Sequence, residues 1–188
     1  MKRVLLGLGS NKNFEGRSSL EILGCACHDL AYLLENVKFS SVYKTRAMYV
    51  TDQNDFYNMV ALGFMPDNAD ALDLLKTIHG IEAKYGRDRS KEIRFGPRSI
   101  DIDIELFGDE TINLPELVVP HVRIEERAFV LVPALEILEK DADCKIREKY
   151  ECCLSRLKEE GKASDIQMFI SAQDFIPFTG GGFNGSES

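Results

Sequence analysis

Hydrophobic and polar positions along the chain change period several times. Val4–Leu8 is a short apolar run ending at Gly9-Ser10-Asn11, which predicts a buried strand entering a loop. Leu20, Leu23, Cys27, Leu30 and Leu34 then recur at spacings of three and four, one face of an amphipathic helix ending near Glu35-Asn36. Gly24 weakens that helix by up to about 1 kcal/mol relative to Ala. Val37 to Lys44 is strand-like, Thr45 to Asp55 a polar loop, and Phe56 to Phe64 a further strand on which Asn58 shares a face with Phe56. Pro66-Asp67-Asn68 supplies a helix start, and Leu72, Leu75 and Ile78 carry the helical period toward Tyr85. Glu82 falls near that helix's end, where an acid opposes the macrodipole unless a local partner or ligand offsets it.

The strictest alternation follows a basic stretch and a break at Gly96-Pro97. Ile100, Ile102, Ile104 and Leu106 fall on one face of a strand, and Asp101, Asp103, Glu105 and Phe107 on the other. Carboxylates at i and i+2 on one strand face lie about 6.5–7 Å apart between Cα atoms. Their repulsion at an effective dielectric near 20 is about 2–3 kcal/mol. A divalent cation or the nearby arginines would offset it. A solvated strand face can carry two acids for solubility alone, so the pattern leaves both readings open.

Gly108-Asp109 then reads as a tight turn into Thr111-Ile112-Asn113, a hairpin off the Asp strand. Leu117–His121 is another apolar run, and Arg127 to Leu138 a short helix interrupted by Pro133. Glu148 to Lys162 is helical in composition, Gln167 to Phe178 moderately apolar, and Thr179-Gly180-Gly181-Gly182 opens a flexible tail. The element order predicts an α+β, ferredoxin-like α/β sandwich, a mainly antiparallel sheet with helices packed on one face. The Asp strand is expected inside that sheet, its Ile face on the helices and its Asp face open to ligand. One domain is expected over residues 1–165, with a C-terminal extension over residues 166–188.

Charge sharpens the picture. The 188-residue chain is 44% hydrophobic and carries a formal net charge of −8, which argues against nucleic acid or an anionic membrane as partner. Yet between Arg87 and Arg98 five basic residues face two acids. A cationic island in an acidic protein suits a compact anion such as a nucleotide phosphate, although a solvated basic loop has the same composition. Five cysteines without metal-ligand spacing do not form a disulfide framework or a zinc site. With no apolar run of signal-peptide or membrane-spanning length the chain is expected in the cytoplasm, and a monomer is expected.

Four segments in order carry a family resemblance: Gly7-Leu8-Gly9-Ser10-Asn11, Gln53-Asn54-Asp55-Phe56-Tyr57-Asn58, Gly96-Pro97-Arg98-Ser99-Ile100-Asp101-Ile102-Asp103-Ile104, and Val119-Pro120-His121 with Arg127-Ala128-Phe129. Across roughly residues 4–140 the chain resembles the 6-hydroxymethyl-7,8-dihydropterin pyrophosphokinases of folate biosynthesis. The resemblance implies transfer of the diphosphoryl group of ATP to the pterin's primary alcohol, with AMP leaving. It implies that Asp101 and Asp103 bind two Mg2+ ions, and that Arg87, Arg89, Arg94 and Arg98 hold the triphosphate or assemble the closed site. Glu82, Ile104, His121 and Arg127 would serve the nucleotide. The pterin would lie between Phe95 and Phe129, with Thr45, Phe56, Asn58 and Asp101 around it.

The chain departs from the family pattern in several places. Arg46-Ala47-Met48-Tyr49 stands where a proline-containing segment is usual, Phe95 replaces a common Trp, and Val122 follows His121 where some members carry an aromatic. Glu105 adds a third acid to the strand face and reads as a solvated residue beyond the metals. No Walker A motif is present, so side chains and metal must hold the phosphates. Two other readings make different demands. A two-metal nucleotidyl cyclase or polymerase-like domain needs acids on separate strands and a glycine-rich turn, and a regulatory metabolite-binding module needs no Asp pair facing arginines.

Overall fold

The computed structural model describes residues 1–46, 53–89 and 96–175. The elements run β1 (Lys2–Ser10), α1 (Ser19–Leu33), β2 (Glu35–Phe39), β3 (Val42–Thr45), β4 (Phe56–Met65), α2 (Ala71–Lys84) and β5 (Asp101–Phe107). They continue with β6 (Ile112–Asn113), β7 (Val118–Val119), a 3-10 turn at Ile124–Glu126, α3 (Ala128–Ile137), α4 (Cys144–Glu159), β8 (Gln167–Ile170) and α5 (Ala172–Phe175). The main sheet has the order β5-β1-β4-β3-β8, with β2 also on β4, and its pairings are antiparallel. The α+β, ferredoxin-like expectation holds.

Helices α1 and α2 bury their apolar stripes on one sheet face, against Val4, Leu6, Leu8, Ile100, Ile102 and Ile104. Local chemistry sets where they start. Ser18 and Glu21 form a capping box for α1, while Asp70 accepts from Leu72 N and Asp73 N to cap α2. The second helix therefore begins later than Pro66-Asp67-Asn68, because Pro66 instead closes a turn onto Ala69 N. The opposite sheet face is not left open along its length. Helices α3 and α4 pack there on Leu5, Val60 and Leu62.

Three local expectations are corrected. β5 lies at the sheet edge rather than inside it, pairing among the described residues with β1 alone in the main sheet. Its other side is met by the chain after β7, where His121 N donates to Glu105 O. Gly108 does make a tight turn, at φ 55°, but Ile112–Asn113 pairs with Val118–Val119 and forms no hairpin with β5. Pro133 does not interrupt α3, which runs on to Ile137 with Val130, Leu131, Pro133 and Ala134 buried. Burial of that face outweighs the roughly 3 kcal/mol an interior proline costs.

The predicted strand from Val37 to Lys44 is split at Ser40-Ser41, where the Ser40 side chain accepts from Val60 N in place of a ladder bond. The strict alternation of β5 also fails at one residue. Leu6 pairs with Ile104 and Leu5 with Leu106, so Glu105 is a β-bulge without a counterpart. Beyond the bulge the faces exchange. Phe107 joins Ile102 and Ile104 in the α1/α2 core, and Leu106 turns to the α3/α4 side.

Candidate active site

The register of three strands builds the site. On the face away from α1 and α2, Asp101 is opposite Gly9 and Asp103 opposite Gly7. Gly9 is in turn opposite Asn58 on β4. Directly paired antiparallel residues share a face, so Asp101, Gly9 and Asn58 form a row two strand spacings long, about 10 Å. Glycine at its centre leaves the row without a side chain in the middle. A Cβ on Gly9 would come within 3.1 Å of Asn58 Oδ1 and 3.9 Å of Phe56 Cδ1. Asn58 Nδ2 donates to Thr45 Oγ1 at 2.8 Å, and both residues are buried. Phe56, Asn58 and Thr45 thus line one end of a trough that has the two aspartates at the other.

Guanidinium groups surround those aspartates. Arg87 Nη1 pairs with Asp101 Oδ1 and Arg98 Nη1 with Asp101 Oδ2, while Arg127 Nη1 lies 2.6 Å from Asp103 Oδ2. Burial acts to raise the Asp101 pKa, but Arg98 and Arg87 together outweigh it and hold the carboxyl below its usual range. Turn residues fix Arg98. Its N–H donates to Asn11 Oδ1 at 2.8 Å, Asn11 N donates to Arg98 O at 3.1 Å, and Ser10 Oγ donates to Ser99 O at 2.5 Å. Asn11 Nδ2 also reaches Gln53 Oε1 and Asn54 O, each at 3.1 Å, so one amide ties three chain segments together.

Glu82 stands behind this ring and is only 1% exposed. It pairs with Arg87 and accepts from Ile102 N at 2.9 Å through Oε1, and from Arg89 at 2.6 Å through Oε2. Burial raises its pKa, opposed by those same arginines. The acid that opposed the α2 dipole therefore has its partners. His121 Nδ1 accepts from Arg123 N at 3.2 Å, which leaves the proton on Nε2, 4.0 Å from Asp103 Oδ2. Burial lowers the His121 pKa, with Asp103 opposing the shift. Phe129 is partly buried with Arg127 over its ring, 5.8 Å from the centroid. Ile104 is buried in the α1/α2 core, so its side chain points away from the face that carries the two aspartates. Arg94, Phe95 and the segment after Arg46 lie outside the described residues.

Glu105 overturns its reading as a solvated acid. It stays on the face of Asp101 and Asp103, which α3 and α4 cover at this end, and is 0% exposed with neither oxygen hydrogen-bonded among the described residues. Burial, and then the charge of Asp103, push its pKa up to about 8. In metal-free buffer this predicts a sign for pH dependence. A carboxyl raised from 4.5 to about 8 contributes stability that is complete below 4.5 and is lost as pH rises through about 8. Glu105→Gln should remove that part of the decline, so thermal melts from pH 5 to 9 should be flatter for the variant. Parallel curves would contradict the assignment.

Gly7, Gly9, Asn11 and Glu105 acquire their roles only through register and packing, and the sequence analysis assigned none of the first three to the site and read the fourth as solvated. A glycine at every second residue entering a Gly-Ser-Asn loop was the available signal for the first two. Gly9→Val should raise the KM for a substrate seated beside Asn58 by tenfold or more, since its branches must displace Asn58 or fill the trough. Nucleotide affinity should be unaffected, and equal losses for both substrates would place Gly9 elsewhere in function.

Comparison with known proteins identifies the family. A family model described as 7,8-dihydro-6-hydroxymethylpterin-pyrophosphokinase (HPPK) matches residues 5–139. A 2-amino-4-hydroxy-6-hydroxymethyldihydropteridine pyrophosphokinase of Pseudomonas aeruginosa is 37% identical over 139 residues, covering 73% of this chain and 81% of that protein. One of the same name from Bacillus subtilis is 42% identical over 108 residues, 56% of this chain and 62% of its own. A crystal structure of Plasmodium falciparum HPPK-DHPS, wild type with pteroate, aligns with a TM-score of 0.61 at 18% identity, a likeness of fold alone. It covers 87% of this chain, which spans only 44% of that longer one. The family match runs from β1 through α3 and takes in the strands and helices that position Asp101, Asp103, Glu82 and Arg127, and the chain belongs to the 7,8-dihydro-6-hydroxymethylpterin-pyrophosphokinase family.

Proposed function

We infer that this chain transfers the β,γ-diphosphoryl group of ATP to the hydroxymethyl oxygen of 6-hydroxymethyl-7,8-dihydropterin in folate biosynthesis. The observation that carries the reading is a rigid Asp101–Asp103 pair ringed by three guanidiniums, at one end of a trough whose other end offers Phe56, Asn58 and Thr45. The alcohol oxygen attacks the β-phosphorus, the bond from that phosphorus to the α,β-bridging oxygen breaks, AMP departs with that oxygen, and the alcohol proton is released to solvent. Charge builds on phosphoryl oxygens throughout, so positioning and electrostatic stabilisation are the protein's task.

Two Mg2+ ions fit the donors present. Asp101 and Asp103 supply hard carboxylate oxygens, and among the described residues no group of three His, Cys, Asp or Glu could hold a metal by itself. Magnesium takes one or two carboxylates together with substrate phosphates, which is what this strand face offers. When bound, it neutralises phosphoryl oxygens as a Lewis acid.

The chain's own residues do the rest. Arg87 and Arg98, which neutralise Asp101 here, become available to non-bridging oxygens, with Arg89, Arg94 and Arg127 beside them. Glu82 holds Arg87 and Arg89 in register rather than meeting the nucleotide. His121 offers its Nε2–H, and Ile104 its main chain. Phe129 and Phe95 give the pterin its stacking faces, and Asn58 with Thr45 reads its polar edge.

The same reading makes residues 1–165 the catalytic domain and residues 166–188 an extension whose strand β8 adds to the sheet beside β3. It places a monomer in the cytoplasm with neither nucleic-acid nor membrane partner. Five free cysteines and the net charge of −8 support that placement, and among the described residues no helix is long and apolar enough to cross a membrane. Purified protein with ATP, Mg2+ and the hydroxymethyl-dihydropterin should release AMP in step with pterin diphosphate. Release of ADP, or no AMP, would sink the proposal.

A further inference from the structure

The buried carboxyl of Glu105 has no structural justification by itself. Room is made for it across the strand pair, since a Cβ on Gly7 would lie 2.8 Å from Glu105 Oε1. Yet among the described residues neither oxygen has a hydrogen-bond partner, and the buried Tyr150 hydroxyl on the α4 side has none either. An unbranched apolar side chain would fill the same space without the desolvation cost of an unsatisfied carboxyl. A buried acceptor without a donor points to a donor that arrives in another state of the site.

Two groups stand just beyond bonding range. His121 Nδ1 is 3.8 Å from Glu105 Oε2, but it already accepts from Arg123 N and has no proton to give in that tautomer. Arg127 Nη1 is 3.8 Å from Glu105 Oε1, and the same nitrogen is 2.6 Å from Asp103 Oδ2. One guanidinium thus faces two acceptors, one occupied and one waiting. Under the diphosphoryl-transfer reading, on which this inference rests, Asp103 must yield its oxygen to a divalent cation, and Arg127 must leave it.

We propose that Glu105 is a positioning residue that receives Arg127 when a cation takes over Asp103. The transfer requires Nη1 to move by little more than an ångström, the difference between its two present separations. Held by one nitrogen on Glu105, the guanidinium keeps its other N–H groups for phosphoryl oxygens and no longer competes with the metal. Ionised or neutral, the carboxyl retains an acceptor oxygen, so the role does not depend on its protonation. Among the described residues Asp103 and Glu105 are the carboxylates within 4 Å of Arg127, so without Glu105 the cation must displace an undivided ion pair.

The test is Mn2+ binding in the presence of α,β-methylene-ATP, followed by electron paramagnetic resonance on the full chain. Glu105→Met removes the acceptor at constant length and should weaken Mn2+ binding about tenfold, while Glu105→Gln keeps an acceptor and should stay within about twofold of wild type. In an Arg127→Ala background, Glu105→Met should make no further difference. Gly7→Ala, which crowds the carboxyl from the neighbouring strand, should reproduce the weakening and serves should Glu105→Met fail to fold. An unchanged affinity in Glu105→Met, or an equal loss with and without Arg127, would overturn the assignment. If wild type binds no Mn2+ with the nucleotide analogue, the diphosphoryl-transfer reading itself falls, and the role of Glu105 with it.

Discussion

Asp101→Ala should lower turnover by roughly a thousandfold or more, equivalent to about 4 kcal/mol of transition-state stabilisation, while leaving the protein folded. The side chain is 23% exposed, so its loss opens no core cavity. Arg87 keeps its pair with Glu82, and Arg98 retains its main-chain bonds to Asn11. Asp103→Ala should behave alike. Asp101→Asn is the sharper variant, because it preserves shape and removes only the charge that a cation needs. AMP release measured beside far-ultraviolet circular dichroism separates the two effects. Turnover within tenfold of wild type in any of these variants would mean that the carboxylate pair does not carry the chemistry.

Glu82→Ala should cost about 3 kcal/mol of fold stability, read as a lowered urea midpoint, because it removes the buried carboxylate that Arg87, Arg89 and Ile102 N share and leaves Arg87 with Asp101 to pair with. Arg87 is 5% exposed and Glu82 1%, so water cannot replace the missing carboxylate. The Ile102 N–H loses its acceptor in the same variant, one residue from Asp101. Glu82→Gln keeps that bond and should recover part of the stability but not the charge pairing. If Glu82→Ala left the urea midpoint unchanged, the buried Glu82–Arg87–Arg89 network would have no stabilising role. A variant that folds normally yet loses nucleotide affinity would instead assign Glu82 to direct nucleotide contact.

Both predictions rest on features that differ in how far the chain alone displays them. The Asp101–Asp103 pattern is legible because strand periodicity is local. A polar residue at every second position, set against Ile100, Ile102 and Ile104, needs no knowledge of any other strand. The apolar stripes of α1 and α2 are legible for the same reason, and the ordered family segments mark the chemistry. The partners of Glu82 are not legible. Arg87 and Arg89 are near in sequence, but Ile102 N reaches Glu82 only because β5 returns alongside α2. Nor does periodicity reveal a bulge, since inserting one unpaired residue changes the ladder and not the sequence pattern.

By itself, then, the sequence determined the α+β class, the two helices of the first layer, the acidic strand face and the family to which the chain belongs. Tertiary structure alone decided that β5 lies at the sheet edge, that α3 and α4 cover part of the other face, and that Gly7 and Gly9 clear the floor beside the two aspartates. It also decided that Glu105 is buried. Side-chain periodicity is written within one element, whereas register is agreed between elements far apart in the chain. A shift of one residue between β1 and β5 sends Phe107 into the α1/α2 core and Leu106 to the α3/α4 side, and the packing of that second layer buries Glu105.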